Sequence, residues 1–296
     1  MVWKYSEFMG LINILFDLCF VALLVRAVVP NEGHLAFNRP YQRIIGVLDP
    51  LWKKLKTPER QIGQLSWLML LALTGARGML WSAFGTNELD FKVMVINAAR
   101  ANLLQTQVLS AVAAIVFLLQ VYAFITLAIV IGNLESRTDH YSRLMRALLG
   151  PFKKVAAPIR CLIPAVAMMF FWTAALWLLA VTGVTPEHRL GISGNVLSSI
   201  PMTLALIIDL ARAWIVLLIV RCVMSFVPIW RPPIVDVIER MTDPMLKPFR
   251  SWRLRAGQFD LTPVVAIIAL SFVHHVLVGG PLFGRGPVLK SLYEIL

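Results

Sequence analysis

Long apolar runs alternate along the chain with segments that carry most of its lysines and arginines. A membrane-spanning helix needs about 20 predominantly apolar residues. Six runs satisfy or approach this length: 8–29, 65–84, 108–131, 161–184, 199–226 and 263–280, the last being the shortest. The runs 108–131 and 161–184 contain no charged residue. The pattern predicts an all-α polytopic membrane protein with about six transmembrane helices.

The first run is expected to be a permanent helix rather than a cleaved signal peptide. A signal peptide has a basic start and an uninterrupted apolar core. Here Glu7 partly offsets Lys4, and Asp17 interrupts the apolar run. With six spans, both chain termini are predicted to lie on the same side of the membrane.

The distribution of positive charge predicts the orientation of these spans. The loops after the first, third and fifth runs hold six Lys or Arg residues each, whereas the segments on the opposite side hold six in total. Short loops rich in Lys and Arg remain in the cytoplasm. The three basic loops are therefore predicted to face the cytoplasm from a cell inner membrane, with both termini on the other side.

Composition agrees with a membrane protein and excludes several other classes. Hydrophobic residues make up 58% of the 296 residues and charged residues 15%, the net charge is +12 and the mean hydropathy is +0.75. Because a soluble domain carries about 25% charged residues, a soluble enzyme and a disordered chain are both disfavoured. The three cysteines include no CxxC pair, which argues against a disulfide scaffold.

The three basic loops share one pattern, in which an apolar-basic stretch contains Pro50, Pro151 or Pro244. Each loop lies between two apolar runs, so the chain is predicted to contain three parallel helix–amphipathic loop–helix repeats. The middle copy is degenerate, because Gly150 replaces the aspartate that precedes the proline in the other two. The predicted divisions are unit 1 at 1–85, an external loop at 86–107, unit 2 at 108–184, an external loop at 185–198, unit 3 at 199–280 and an external tail at 281–296.

The loop stretches have the apolar spacing of helices that lie in the lipid head-group layer. In the first loop, Ile44, Leu48, Leu51 and Leu55 share one helical face, and basic residues occupy the others. Such helices bind anionic lipid head groups, and the same surface is an alternative docking site for a cytoplasmic partner. The prolines are expected to end or kink each helix. A nucleic-acid partner is not expected, because dense basic clusters are lacking.

The segment 221–276 contains a specific series of motifs. In chain order they are Arg221 at the end of a span, Thr242-Asp243-Pro244, Lys247-Pro248-Phe249-Arg250, and Phe259-Asp260-Leu261-Thr262-Pro263 at the start of the last span. This series resembles the YggT (YlmG-like) family of integral membrane proteins. Arg26 and Asp49-Pro50 repeat part of it in unit 1.

The resemblance implies an integral membrane protein of a family without established enzymatic activity. Bacterial members are connected with cell-envelope and division contexts or with osmotic tolerance. Plastid relatives are connected with cytochrome cofactor assembly and nucleoid organisation. A scaffold or an assembly factor is therefore the kind of function that the resemblance implies.

Four charged residues lie deep within the apolar runs: Asp17, Arg77, Asp209 and Arg212. Charge at membrane depth is costly and marks either pairing or transport. Asp209 and Arg212 are three residues apart and can pair on one helical face. The register between units 1 and 3 also predicts a bridge between Asp17 and Arg212, whereas Arg77 has no evident acidic neighbour. A proton or ion path through Asp17, Asp209 and Arg212 is the alternative.

Two arginines and one aspartate at the ends of spans have structural explanations. Arg26 and Arg221 are expected to reach the head groups or to pair with Asp49 and Asp243 of their own units. Asp260 is expected to cap the last helix, with Pro263 in its first turn.

No catalytic residue, metal site or cofactor is predicted. The chain has no GxSxG, P-loop, HExxH or dinucleotide fingerprint. His274 and His275 in the last run are the candidate haem ligands, but adjacent residues point to different helix faces.

These features favour a non-enzymatic membrane scaffold or assembly partner. Its expected contacts are anionic lipid, a membrane protein complex or a second copy of itself. The first alternative is an ion or solute channel or transporter that uses the buried Asp and Arg residues. The second alternative is a haem-binding or electron-transfer subunit.

Overall fold

The structure is a computed structural model that describes residues 2–29, 35, 38–54, 61–84, 88–90, 94–97, 101–185, 191–225, 233–250, 255–256, 259–278, 288–289 and 293. The α-helices in this part of the chain are α1 (Val2–Val28), α2 (Arg39–Lys54), α3 (Ile62–Phe84), α4 (Leu103–Ile131), α5 (His140–Leu148), α6 (Ala157–Val181), α7 (Ile192–Ser225), α8 (Pro233–Arg250) and α9 (Thr262–Val278). Each of the six predicted apolar runs lies on a helix, and each predicted amphipathic stretch contains one.

Five helices, α1, α3, α4, α6 and α7, are long and apolar enough to cross a membrane. The sixth, α9, is equally apolar but has 17 residues. At 1.5 Å per residue it is about 25 Å long, slightly less than the ~30 Å hydrocarbon core. The chain is thus a multi-pass, all-α membrane protein, and its shortest predicted span is also the shortest of these helices.

The apolar helices pack in the order in which they occur along the chain. α1 packs against α3, α4 against α6, and α7 against α9, and these pairs are joined by contacts of α3 with α4 and of α6 with α7. α4 also contacts both α1 and α7, so it lies between them. The largest buried cluster is centred on α4, α6 and α7, where Met168, Trp172 and Met202 are fully buried.

The amphipathic helices form a layer at one end of the bundle, which we call the α2–α5–α8 layer. α5 contacts α2 on one side and α8 on the other. Each helix turns an apolar face inward: Tyr41 and Ile45 of α2, Leu144 of α5, and Val237 and Met241 of α8 are buried. Each of these helices has one apolar and one polar face, and this pattern explains both their helical form and their position against the bundle.

Of the two outcomes predicted for the prolines, termination of the helix is wrong for two of the three repeats, and kinking stays a prediction. α2 continues through Pro50, and α8 continues through Pro244 and Pro248. A proline removes one backbone hydrogen bond, and the buried faces of these helices compensate for that loss. Only α5 ends near its proline, because Gly150 adopts a left-handed φ of 54° and begins a 3-10 turn, Gly150–Lys154.

The end of the bundle opposite the α2–α5–α8 layer contains a small hairpin within the predicted external loop 86–107. Strand β1 (Glu88–Asp90) pairs antiparallel with β2 (Val95–Asn97). From the tail, Tyr293 donates a hydrogen bond to Met94 Sδ at 3.2 Å, and Leu289 is buried in the same cluster. A second hairpin, β3 (Arg255–Ala256) with β4 (Phe259–Asp260), precedes α9.

Candidate functional site

A buried arginine joins three membrane helices. Arg77 of α3 is 3% exposed, and its Nη1 lies 3.4 Å from Asp17 Oδ1 of α1. Its Nε donates to Ser110 Oγ at 3.2 Å, and its Nη2 donates to the Ser110 carbonyl of α4 at 2.7 Å. The guanidinium also lies 4.9 Å from the Phe20 ring and 5.0 Å from the Trp81 ring. The charge is therefore satisfied inside the bundle by α1 and α4.

The predicted bridge between Asp17 and Arg212 is wrong, because Asp17 pairs with Arg77 instead. α4 lies between α1 and α7, so these two helices are separated in the bundle. Asp17 and Arg77 belong to the directly packed pair α1 and α3. The expectation that Arg77 has no acidic neighbour is corrected by the same contact.

Close approach of α3 and α4 makes this arrangement possible. A Cβ atom on Gly78 would lie 2.7 Å from the Gln107 Oε1 atom and 3.1 Å from its Cα atom. Gln107 in turn donates to the Gly75 carbonyl at 3.2 Å, and Ser110 Oγ donates to the Thr74 carbonyl at 2.8 Å. Small residues that let helix backbones approach, with polar side chains bonding across, are typical of membrane helix interfaces.

A second polar cluster joins α7 to α9. Arg212 Nε lies 3.1 Å from Asp209 Oδ1, which confirms the predicted pairing of these two residues. His274 Nε2 lies 3.1 Å from the same carboxylate oxygen and 3.1 Å from Arg212 Nε. Asp209 and His274 are 14% and 7% exposed, whereas Arg212 is 48% exposed. The sequence indicated Asp209 and Arg212 but not the third member of this triangle.

The two contacts of His274 Nε2 require different tautomers of a neutral imidazole. The nitrogen accepts the Arg212 N–H only when it carries no proton, and it donates to Asp209 only when it does. The cluster therefore has two hydrogen-bonding arrangements that differ by the position of one proton. Because Nε2 already faces both charged groups, His274 does not present a free ligand atom for haem there. Within the described chain, no group of three or more His, Cys, Asp or Glu is placed to hold a metal.

Arg221 ties the end of α7 to α8. Its Nη1 donates to the Glu239 carbonyl at 2.9 Å, to Thr242 Oγ1 at 2.7 Å and to Asp243 Oδ1 at 2.8 Å. Arg250 Nη2 donates to the same Asp243 oxygen at 2.7 Å. The predicted pairing of Arg221 with Asp243 is confirmed, and three residues of the family motif thus meet at one carboxylate.

Arg26 occupies the corresponding position at the end of α1 but has a different contact. Its Nη1 donates to Tyr41 Oη at 2.9 Å, and that hydroxyl donates to the Val29 carbonyl at 2.9 Å. The side chains of Asp49 and Asp260 lie outside the described residues, so their predicted pairing and capping roles remain predictions. Pro263 lies in the first turn of α9, as predicted.

In the middle unit, other arginines stabilise the connection between α4 and α5. Arg160, 4% exposed at the start of α6, donates to Glu135 Oε1 at 2.6 Å and to the Val155 carbonyl. Arg146 of α5 donates to the carbonyls of Glu135 and Arg137. These contacts stabilise the connection between α4 and α5, and no motif in the sequence indicated them.

Asp139 caps α5 in the same connection. Its two carboxylate oxygens accept hydrogen bonds from the Ser142 N–H at 2.9 Å and the Ser142 hydroxyl at 2.7 Å. Burial alone would raise the pKa of Asp139, but these hydrogen bonds and the charge of Arg240 outweigh it and lower the pKa below its ordinary value. The cap therefore favours an ionised carboxylate.

Comparison with known proteins finds a family likeness within residues 201–280. An uncharacterised protein of Vibrio alginolyticus, described as lying in the proC 3′ region, is 26% identical over 149 residues, which are 48% of this chain and 80% of that protein. No solved structure matches. The CCB3/YggT family profile matches residues 201–280, which include Arg221, Asp243 and Pro263. The resemblance predicted from the motifs is thereby confirmed, and residues 201–280 of this multi-pass membrane protein are similar to the CCB3/YggT family.

Proposed function

We propose that the protein is a non-enzymatic scaffold of a cell inner membrane, with its α2–α5–α8 layer facing the cytoplasm. In this proposal the chain consists of three related units, each an apolar helix, an amphipathic helix and a second apolar helix. The layer presents a basic surface to a membrane protein complex, a second copy of the chain or anionic lipid. No nucleic acid and no cofactor take part.

The observation that carries this proposal is the continuity of the layer. α2, α5 and α8 contact one another in series, and Arg26 and Arg221 hold two of them against their own membrane helices. Amphipathic helices that served only as separate lipid anchors would not need to contact one another. A layer of fixed shape instead offers one contiguous surface to a partner.

The outward face of the layer supplies the charge for such contacts. Its exposed basic side chains include Arg39, Arg43, Lys54, Arg143, Lys247 and Arg250, and Arg137 and Lys154 are exposed in the turns before and after α5. Surface charges of one sign steer partners of the opposite sign and reject those of the same sign. The fitting partner is therefore an acidic protein surface at the head-group level.

Site-specific crosslinking in native membranes tests this function. A photoreactive amino acid at Arg143 or Lys247, both exposed on the layer, should give the same discrete partner crosslinks. The matched control carries the photoreactive amino acid at Ile268, which is 63% exposed on α9 within the bundle, and should crosslink mainly to lipid. Absence of any protein crosslink from both layer positions would overturn the scaffold proposal.

Variants that change the charge of the layer then test whether a partner binds because of this charge or only lies close to the layer. With the photoreactive amino acid kept at Arg143 or Lys247, the triple variant Arg39→Gln, Arg43→Gln and Lys54→Gln should weaken the crosslinks, because it removes three exposed positive charges of α2. The charge-preserving triple Arg39→Lys, Arg43→Lys and Lys54→Arg should retain them. Equal crosslinking by the two triples would show that charge does not select the partner.

A transporter is the second candidate, favoured by the cluster of Asp209, Arg212 and His274. Its two proton arrangements lie at membrane depth, where ionisable groups mark proton or ion paths. Purified protein in liposomes should then conduct H⁺, K⁺ or Na⁺, and Asp209→Asn should abolish the flux. No flux above that of protein-free liposomes for any of these ions would exclude this candidate.

A further inference from the structure

A crevice opens between α6 and α7 at the end of the bundle away from the α2–α5–α8 layer. Its volume is about 290 Å³, and its wall consists of Phe170, Thr173, Ala174 and Trp177 of α6 with Ile192 and Asn195 of α7. Phe170, Trp177 and Ile192 are 68%, 49% and 76% exposed. The rim is thus apolar and aromatic, as expected of a surface that meets lipid near a head-group layer.

One polar group in this wall has no partner within the protein. Asn195 is 1% exposed, and its Oδ1 accepts no hydrogen bond. Buried polar groups are almost always paired, because leaving one unpaired is costly. Its neighbours illustrate the rule: Ser199 Oγ donates to the Val196 carbonyl, and Thr173 Oγ1 donates to the Met169 carbonyl. Asn195 is therefore the acceptor in this wall that still needs a donor.

The chemistry of the wall defines the ligand. An amide oxygen accepts only, so the ligand must donate an N–H or O–H group. Trp177, seven residues after Phe170 on the same face of α6, offers an indole that attracts a cation. The remaining rim suits an acyl chain. A primary ammonium on a hydrophobic tail satisfies all three requirements.

We propose that this crevice is a binding site for a phospholipid with a primary ammonium head group, from the leaflet opposite the α2–α5–α8 layer. The ammonium donates to Asn195 Oδ1 and lies beside Trp177, while an acyl chain lies along Phe170 and Ile192. A choline head group has the same charge without an N–H donor, and a glycerol head group donates O–H without the cation. Both should bind more weakly.

Native mass spectrometry of the full-length protein with equimolar phosphatidylethanolamine, phosphatidylcholine and phosphatidylglycerol of identical acyl chains tests the site. Phosphatidylethanolamine should be retained about tenfold better than the other two, the effect of one charge-assisted hydrogen bond. Equal retention of the three lipids, or preference for the glycerol head group, would overturn the proposal.

Single substitutions then test which residues produce the preference for phosphatidylethanolamine. Asn195→Leu should abolish it and at the same time raise the thermal stability, because an unpaired buried amide is replaced by an apolar group. Trp177→Leu, at a half-exposed position, should reduce selectivity without unfolding the protein. Ser199→Ala, which removes a buried hydroxyl outside the crevice, is the matched control and should leave selectivity unchanged. Full selectivity in Asn195→Leu would refute the site.

Discussion

At the scale of single residues, the pair Asp17 and Arg77 stabilises the first half of the bundle. Arg77→Met should lower the free energy of unfolding by about 3 kcal/mol, because it leaves a partly buried carboxylate without its partner. The Ser110 carbonyl and hydroxyl lose a donor in the same variant. Thermal unfolding in detergent, followed by tryptophan fluorescence, measures the change.

Double variants show whether the loss comes from the pair itself. The double variant Asp17→Asn, Arg77→Met should lose less stability than the sum of the two single variants, because it removes both charges and leaves neither one unpaired. Asp17→Asn combined with Arg212→Met should be additive, since these residues lie on helices separated by α4. If the effects of the Asp17 and Arg212 substitutions were not additive, and those of the Asp17 and Arg77 substitutions were, the results would support the Asp17–Arg212 bridge predicted from the sequence.

At the scale of secondary-structure elements, the Asp139 cap makes the stability of α5 depend on pH. The pKa of Asp139 is lower in the folded protein than its ordinary value of about 3.9. The cap therefore stabilises α5 fully above that value, and its contribution is lost as the pH falls through the lower, folded-state pKa. Hydrogen exchange within 140–148 should accelerate below about pH 4, on top of the intrinsic pH dependence of exchange.

Two substitutions at this position separate capping from titration. Asp139→Ala should cost about 1 kcal/mol of local stability at neutral pH, because the Ser142 N–H loses its acceptor. Asp139→Asn retains a capping oxygen but does not titrate, so exchange in α5 should follow the intrinsic rate alone. If acid destabilises α5 equally in the wild type and in Asp139→Asn, another group is responsible.

The helices themselves could be predicted from sequence because they depend on local pattern. Each apolar run and each amphipathic stretch sets its own periodicity, and the helices follow these patterns closely. The effect of proline could not be predicted in the same way. Pro50 and Pro244 lie inside continuous helices because packing of the buried face offsets one lost hydrogen bond, and this packing is tertiary.

At the scale of the whole molecule, the order of helix packing decides which charges meet. The sequence placed Asp17 and Arg212 on corresponding faces of their units, but it did not show that α4 lies between α1 and α7. Arg221 with Asp243 and Asp209 with Arg212 were predicted correctly, because a motif or a three-residue helical spacing connects them in the sequence. Arg77 with Ser110 and Asp209 with His274 join different membrane helices that no such pattern connects, so these contacts required the structure.

Packing also places all three amphipathic helices at one end of the bundle, so one experiment tests the sidedness of the whole molecule. The basic loops should face the cytoplasm, because Lys and Arg near membrane helices are retained there. Lys247 is exposed on the last turn of α8, and Ser193 is exposed on the first turn of α7 at the opposite end. None of the three native cysteines, all of them described in the structure, forms a disulfide, and all three are replaced by alanine to give a background without cysteine.

In right-side-out membrane vesicles, a membrane-impermeant maleimide should label Ser193→Cys at once and Lys247→Cys only after the vesicles are opened. After solubilisation in detergent both variants should react, because both positions are exposed in the folded protein. The cysteine-free background measures non-specific labelling. The reverse order of labelling would show that the protein has the opposite orientation, with the basic layer on the outer side of the membrane. Immediate labelling of both positions would mean that the charge difference does not fix one orientation, and a scaffold that serves cytoplasmic partners would then be untenable.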